Sequence, residues 1–224
     1  MPKRKKVVAA KLRRTFQQRL LAWYDSNKRD LPWRKTADPY NILVSEIMLQ
    51  QTQVDRVIPK YEEFLTKYPT LEALANAPVE EVRDTWYPLG YNIRPLRLHS
   101  IAREAVEKYG GKIPADPEAL QSLKGIGRYT AGAVLSFAFG QAAPILDTNV
   151  RRVLHRVFIG DGDAKRYSLQ KDLWELSEAL IPADKVYDFN QALMDFGATV
   201  CTARKPVCLV CPLNDLCKAY PCTP

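Results

Sequence analysis

The sequence predicts an all-α fold. Apolar residues recur at helical spacing along most of the chain, whereas alternation of apolar and polar residues never extends far enough for a convincing strand. Sixteen prolines and ten glycines interrupt the helical runs at short intervals. Together these observations predict about ten short helices joined by tight turns, in one large domain or two small lobes.

The predicted helical runs can be read directly from the apolar positions. They are Leu12–Trp23, Leu43–Ile58, Ile101–Tyr109, Val150–Val157 and Leu173–Leu180. Pro59 is expected to end or kink the second run, since proline cannot donate a backbone hydrogen bond. Gly110 and Gly111 form a C-terminal stop for the third.

Composition and charge narrow the function without naming it. The 224 residues are 46% apolar and carry a net charge of +8, which excludes a disordered or collagen-like chain. No apolar stretch approaches the ~20 residues of a membrane span, and no hydrophobic signal core follows the basic N-terminus, so the cytoplasm is the expected compartment. The positive charge fits either nucleic acid as a partner or an ordinary basic surface.

A glycine-rich turn between two helical segments indicates nucleic-acid binding. The segments are Pro117–Ser122 and Thr130–Phe139. Between them, Gly125 and Gly127 permit a tight turn with positive φ and exposed backbone N–H groups, which suit a DNA phosphate. Lys124 and Arg128 add positive charge at the same point. The alternative is a plain turn between helices.

An aspartate opens the next predicted helix. Asp147 lies 18 residues after Tyr129, in the segment Pro-Ile-Leu-Asp-Thr-Asn-Val-Arg-Arg. It could be an N-cap, or a carboxylate placed beside a developing positive charge.

The five cysteines all lie in the last 24 residues, at positions 201, 208, 211, 217 and 222. This crowding argues against a disulfide framework and for one local thiolate site. Cys201, Cys208, Cys211 and Cys217 could hold either Zn²⁺ or an iron–sulfur cluster, and Cys222 is left over.

The hairpin, the apolar helix and Asp147 together resemble the helix-hairpin-helix, Gly/Pro-rich, Asp superfamily of base-excision DNA glycosylases, the endonuclease III superfamily, from Leu31 to Cys217. The cysteine spacing matches the [4Fe–4S] loop of that superfamily. The resemblance implies a cluster held by the four cysteines that orders a basic loop against DNA, with Arg204, Lys205 and Lys218 supplying charge.

A further sequence segment is similar to one group of enzymes within this superfamily. The residues Ser-Glu-Ile-Met-Leu-Gln-Gln-Thr-Gln-Val at 45–54 are similar to those of MutY-type adenine DNA glycosylases. Glu46 falls in an apolar stretch, where a carboxyl could hold a proton near neutral pH. The polar Gln-Gln-Thr-Gln string would by itself be a solvated helix face. The resemblance implies that Glu46 is the general acid, and that Gln51 and Tyr91 fill the gap left by an extruded base.

The resemblance also implies a reaction. Glu46 would protonate the base, Asp147 would stabilise the oxocarbenium-like sugar, and Asn149 and Tyr129 would hold Asp147 and the sugar in place. Bifunctional members of the superfamily carry a lysine in place of Tyr129. Tyrosine cannot form their Schiff base, so a monofunctional glycosylase without strong strand-cleaving activity is expected.

The expected architecture is two helical lobes, one at 34–143 and one joining 1–33 to 144–224, with Glu46 and Asp147 facing each other across a DNA cleft.

The expected partner is double-stranded DNA with a mismatched or damaged base, bound by a monomer. Adenine opposite guanine or 8-oxoguanine is the favoured substrate. Thymine or uracil opposite guanine is the alternative, because thermophile mismatch thymine glycosylases also carry tyrosine at that position and end just after the cluster. A non-catalytic DNA-binding iron–sulfur protein is a third possibility.

Overall fold

A computed structural model describes residues 8–90, 93–160, 162–164 and 166–222. Within these ranges the chain forms eleven α-helices and three short 3-10 helices, with no strand, which confirms the all-α prediction. The α-helices are α1 Ala10–Asn27, α2 Pro39–Met48, α3 Val54–Lys67, α4 Leu71–Asn76, α5 Val79–Trp86, α6 Ile93–Tyr109, α7 Pro117–Ser122, α8 Arg128–Phe139, α9 Thr148–Phe158, α10 Tyr167–Leu180 and α11 Val186–Thr199. The 3-10 helices are Pro32–Arg34, Cys208–Val210 and Asn214–Leu216.

The helices fall into two compact units. The continuous unit is Asp30–Phe139, and the discontinuous unit joins Met1–Arg29 to Gly140–Pro224. The bounds expected from the sequence, 34 and 143, each lie four residues further along the chain than those of the continuous unit. No helix among the described residues is both long enough and apolar enough to cross a membrane.

The continuous unit is built around α2. Every α2 residue from Ile42 to Met48 is buried, and the helix packs against α8, whose residues Thr130–Phe137 are buried as well. A helix that is apolar on all sides belongs inside a fold. Asp38 starts α2 by accepting hydrogen bonds from the backbone N–H groups of Tyr40 and Asn41, with Pro39 in the first helical position. This burial fixes the position of the one carboxyl on α2.

The predicted helix Leu43–Ile58 is wrong, because two helices occupy this stretch. α2 ends at Met48, a loop spans 49–53, and α3 begins at Val54. Pro59 lies inside α3 without ending it. The break has a tertiary cause: the buried Arg94 guanidinium binds carbonyls at the end of α2 and in the loop. Gln-Gln-Thr-Gln therefore lies in a loop and not on a helix face.

The discontinuous unit has an aromatic core. α1 packs on α11, and α11 packs on α9. The Phe16 ring meets Phe158 and Phe189 edge-on, with centroids 5.0 and 6.2 Å away, and Trp23 meets Phe196 in the same manner at 5.1 Å. Such edge-to-face pairs add to the burial of apolar surface. The core therefore ties the N-terminal helix to residues up to 173 positions later.

A partly buried ion pair ties the end of α1 to α11. Asp195 is fully buried, and its carboxylate accepts hydrogen bonds from the backbone N–H of Arg29 at 3.2 Å and from the Arg29 Nε at 2.7 Å. The Arg29 side chain is 30% exposed, so water can solvate it when the carboxylate is removed. We therefore expect Asp195→Ala to lower the free energy of unfolding in urea by about 1.5–3 kcal/mol, the usual contribution of hydrogen bonds to a charged group.

A matched control separates burial from charge. Asp30 also pairs with a cation, Lys35, at 2.9 Å, but both side chains are more than 60% exposed. Asp30→Ala should change the free energy of unfolding by less than about 1 kcal/mol. Equal effects of the two substitutions would contradict the assigned role of the Arg29–Asp195 pair.

Candidate functional site

The predicted hairpin forms at residues 123–127, between α7 and α8. Leu123 and Ile126 are buried and anchor the turn, and the Ile126 backbone N–H donates to the Leu123 carbonyl at 3.0 Å. The residues between and after them are exposed, namely Lys124, Gly125, Gly127 and Arg128. The turn therefore presents backbone and two cations to solvent at the start of a helix.

The two hairpin glycines serve different purposes. Gly125 has φ +115°, which L side chains rarely adopt, whereas Gly127 does not, so the expected positive φ is found at Gly125 alone. A Cβ added at Gly127 would meet no heavy atom of the described chain within 4 Å. Glycine at 127 thus leaves room above the backbone, which suits the close approach of a ligand.

Asp147 caps α9. Its carboxylate accepts a hydrogen bond from the Val150 backbone N–H at 2.6 Å and another from the Asn149 side-chain amide at 3.2 Å. Burial raises the pKa of Asp147, and the Val150 and Asn149 N–H groups oppose that rise. The N-cap and the functional interpretations are therefore compatible, because the cap bond orients a carboxylate that is largely shielded from water.

A second network holds Asn149 in place. The Arg152 guanidinium donates to the Asn149 side-chain oxygen at 2.7 Å and to the Gly197 carbonyl at 2.6 Å. Gly197 lies in α11, and a Cβ there would come within 2.7 Å of the Asn149 Cβ. Glycine at 197 is thus required for the start of α9 to approach α11. The contacts that join Gly197 to Asn149 and to Arg152 span 45 or more residues, so no local pattern in the sequence marks them.

Glu46 lies in the last turn of α2 and is 4% exposed. Tyr129 is the second residue of α8 and is half-buried. Both belong to the continuous unit, whereas Asp147 and Asn149 belong to the discontinuous one. The expectation that Glu46 and Asp147 face each other stays a prediction.

Gln51 and Tyr91 are the two residues expected to fill the gap that an extruded base leaves in the DNA, and the structure describes only Gln51. Gln51 lies in the 49–53 loop, is exposed, and has φ +56°, a left-handed conformation that is uncommon for glutamine. Tyr91 lies outside the described residues, although its neighbours Leu89 and Gly90 are described.

The cysteines gather around one pocket. Cys201, Cys208, Cys211 and Cys217 line one pocket, together with the apolar residues Phe196, Val200 and Leu213. All five cysteines are free of disulfides, and Cys222 lines the same pocket. In the described part of the chain, no three or more His, Cys, Asp or Glu residues come together closely enough to hold a single metal ion.

The chemistry of this pocket fits a cluster. The pKa of Cys211 is raised to about 11, chiefly by burial and in smaller part by the neighbouring thiols of Cys201, Cys217 and Cys208, because thiolates in a dry site repel each other. Four thiolates of this kind would hold an iron–sulfur cluster, and its positively charged iron would offset their mutual repulsion. The donor set therefore fits an iron–sulfur cluster.

Two arginines of α9 attach the cysteine loop to the helix that Asp147 caps. Arg152 donates from Nε to the Cys201 carbonyl at 2.7 Å. Arg156 donates to the Thr202 and Ala203 carbonyls at 2.7 and 3.2 Å. One helix therefore carries the candidate catalytic carboxylate at its start and the cysteine loop along its side. Arg204, Lys205 and Lys218 of this region are exposed, as the sequence suggested.

Comparison with known proteins decides the family. The model of the HhH-GPD superfamily of base excision DNA repair proteins matches residues 44–179. The chain belongs to that superfamily. A second family model, the iron–sulfur binding domain of endonuclease III, matches residues 201–217, which confirms the predicted [4Fe–4S] cofactor.

Individual relatives of this HhH-GPD protein fall in two groups. The chain is 48% identical over 213 residues to the adenine DNA glycosylase of Homo sapiens, covering 91% of this chain but 39% of the relative. It is 39% identical to the thymine/uracil-DNA glycosylase of Methanothermobacter thermautotrophicus, covering 94% of this chain and 95% of the relative. The chain thus spans about two fifths of the human relative.

A solved structure agrees with the fold of the HhH-GPD protein. The structure of a thermostable thymine-DNA glycosylase superposes with a TM-score of 0.87 and 39% identity, covering 94% of this chain and 97% of the other. The predicted superfamily and fold are therefore both confirmed.

Proposed function

We propose that this protein is a monofunctional DNA glycosylase that extrudes a mismatched adenine, opposite guanine or 8-oxoguanine, and hydrolyses its N-glycosidic bond. The observation that carries the proposal is the Asp147 carboxylate, held by the Val150 N–H and the Asn149 amide at the start of α9. Release of a base needs such a group, because the sugar develops positive charge as the glycosidic bond breaks. The family model that matches this chain is one of base excision DNA repair proteins.

Each proposed catalytic group has a part in this reaction. Glu46 delivers a proton to a ring nitrogen of adenine, because a neutral base leaves poorly, and its shielding from water in α2 suits that task. Asp147 stabilises the oxocarbenium-like sugar until water completes the hydrolysis. Asn149 orients the Asp147 carboxylate by its 3.2 Å hydrogen bond, and Tyr129 holds the sugar.

Tyr129 also sets the reaction type. A phenol at this position cannot form the Schiff base by which bifunctional members of the superfamily cleave the strand. The proposed enzyme therefore releases the base and leaves an intact abasic site.

The hairpin provides the proposed contact with the DNA backbone. Exposed Lys124 and Arg128 flank the open backbone at Gly127, and phosphate contacts of this kind release counterions. Lys124→Ala should weaken binding to all duplexes alike, and should reduce the slope of log K against log salt concentration by about 1. Fluorescence anisotropy at several salt concentrations measures that slope. An unchanged slope would remove Lys124 from the interface.

The cluster assignment makes a separate prediction. Cys211→Ser should lose most of the protein's iron and its broad visible absorption, whereas Cys222→Ser should keep about four irons per chain, as a [4Fe–4S] cluster requires. Iron analysis and visible spectra of the purified variants measure both effects. Loss of iron in Cys222→Ser would make Cys222 a ligand.

Substrate identity is tested by single-turnover excision. The duplexes carry adenine opposite guanine, adenine opposite 8-oxoguanine, thymine opposite guanine and uracil opposite guanine. The proposal expects the fastest release from the two adenine duplexes.

A thymine/uracil glycosylase is the second candidate function. It is favoured by the likeness to the structure of a thermostable thymine-DNA glycosylase, with a TM-score of 0.87 and 39% identity. Faster release of thymine and uracil than of adenine would establish this second candidate.

A further inference from the structure

We propose that Arg94 is a positioning residue for base extrusion. It holds together the two segments whose side chains are proposed to fill the gap that an extruded base leaves in the DNA stack. This inference rests on the proposed function. The two segments are the loop 49–53, which carries Gln51, and Leu89–Gly90, which precedes Tyr91.

The Arg94 side chain is almost completely buried in the continuous unit, with 3% of its surface exposed. Its guanidinium lies over the Trp86 ring, 5.4 Å from the ring centroid, which gives the buried charge a cation–π contact. An arginine enclosed in this way is expensive to keep unless its donors are satisfied. The acceptors of its two terminal nitrogens lie at the end of α2 and in the two segments.

One nitrogen of the guanidinium serves the first segment. The Arg94 Nη1 donates to the Met48 carbonyl at 2.7 Å and to the Gln50 carbonyl at 2.5 Å. Met48 is the last residue of α2, where helix carbonyls have no partner within the helix and the helix dipole favours a cation. Arg94 therefore fixes where α2 stops, and the left-handed Gln51 follows directly.

The other nitrogen reaches both segments. The Arg94 Nη2 donates to the Thr52 hydroxyl at 3.0 Å, and to the Leu89 and Gly90 carbonyls at 3.1 Å each. A planar fork can hold both loops at once, which a lysine ammonium on a single stem does less well. Because the two segments share one guanidinium, displacement of either one should alter the other.

Arg94 is a positioning residue in this proposal, since it acts through Gln51 and the 89–90 segment. Opening a base pair costs energy that the filling side chains help to recover. A misplaced loop should therefore slow removal of a paired base more than removal of a base with no pairing partner.

The test compares Arg94→Lys with Arg56→Lys. Arg56 contacts the residue just before the second segment, donating to the Pro88 carbonyl at 3.0 Å, but it is exposed. On a duplex with the target base mispaired, Arg94→Lys should lower the single-turnover rate about 10- to 100-fold. Opposite an abasic site the loss should be less than about threefold, and Arg56→Lys should match the unsubstituted enzyme on both duplexes.

A double substitution tests the route of the effect. If Arg94 acts through the first segment, adding Gln51→Ala to Arg94→Lys should slow the mispaired duplex far less than the product of the two single effects. Equal slowing on the two duplexes, or multiplicative single effects, would overturn the proposal and leave Arg94 a merely structural residue.

Extrusion can also be followed without base release. In an Asp147→Asn background, 2-aminopurine beside the target base should brighten on binding, and Arg94→Lys should reduce that change several-fold. The fluorescence change and base release can give different answers. If the fluorescence change depends on Arg94 but the unsubstituted protein releases no base from any duplex, the catalytic proposal fails and the Arg94 proposal stands. An unaltered fluorescence change would overturn the Arg94 proposal.

Thr52→Val covers the case in which Arg94→Lys does not fold. It removes one acceptor of the Arg94 Nη2 and leaves the arginine in place. It should slow the mispaired duplex selectively, in the same direction and by a smaller factor. Equal rates for Thr52→Val and the unsubstituted enzyme on that duplex would contradict the proposal.

Discussion

Asp147→Asn should reduce single-turnover base release by about 10³-fold or more, while binding to the mismatched duplex changes little. The substitution removes the negative charge that would stabilise the oxocarbenium-like sugar. It keeps the cap, because asparagine caps helices about as well as aspartate does. Release rates and duplex affinities measured on the same preparation give both quantities.

A matched control uses another capping aspartate. Asp116 starts α7 and accepts a hydrogen bond from the Ala119 backbone N–H at 2.8 Å, much as Asp147 accepts from Val150. Asp116→Asn should leave base release unchanged, which shows that the loss is specific to position 147. If Asp147→Asn released bases at the unsubstituted rate, Asp147 would be excluded as the catalytic carboxylate. Absence of base release by the unsubstituted protein would instead support a non-catalytic DNA-binding iron–sulfur protein.

Glu46→Gln should slow adenine release by about 10²- to 10⁴-fold, the usual contribution of a general acid. Glutamine has nearly the same shape as glutamate, so α2 should keep its packing, but it carries no proton to deliver to the leaving base. Single-turnover rates on the adenine duplexes measure the loss. Thermal unfolding midpoints show whether the fold is retained.

The control for Glu46 is an exposed glutamate of the neighbouring helix. Glu62 lies on the solvent side of α3, and Glu62→Gln should have no measurable effect on release. A Glu46→Gln enzyme that retains full activity on adenine would exclude Glu46 as the proton donor.

Local sequence signals predicted the hairpin and several helices well. The expected helix Pro117–Ser122 forms with those bounds, and the Gly110-Gly111 stop ends α6 at Tyr109. These features depend on caps, glycines and periodicity, all of which act over a few residues. The same signals were wrong for Leu43–Ile58, where apolar spacing continued through a loop.

The candidate site shows the same division. Motif spacing was sufficient to select Asp147, Glu46 and the cysteines, but not the groups that hold them. Arg152 contacts the Cys201 carbonyl from 49 residues away, and Gly197 is needed only because Asn149 lies against it. No local pattern marks such residues, since an arginine or a glycine in a helix is ordinary until its partner is known.

The sequence by itself determined the helical class and the hairpin, which follow from residue types at short spacing along the chain. The superfamily resemblance added the prediction that four of the cysteines hold the cluster. Only the tertiary structure decided where α2 ends and how the Gln51 loop is held. The reason is physical: the Met48 carbonyl at the end of α2 finds its donor in Arg94, 46 residues later, after the chain has folded back.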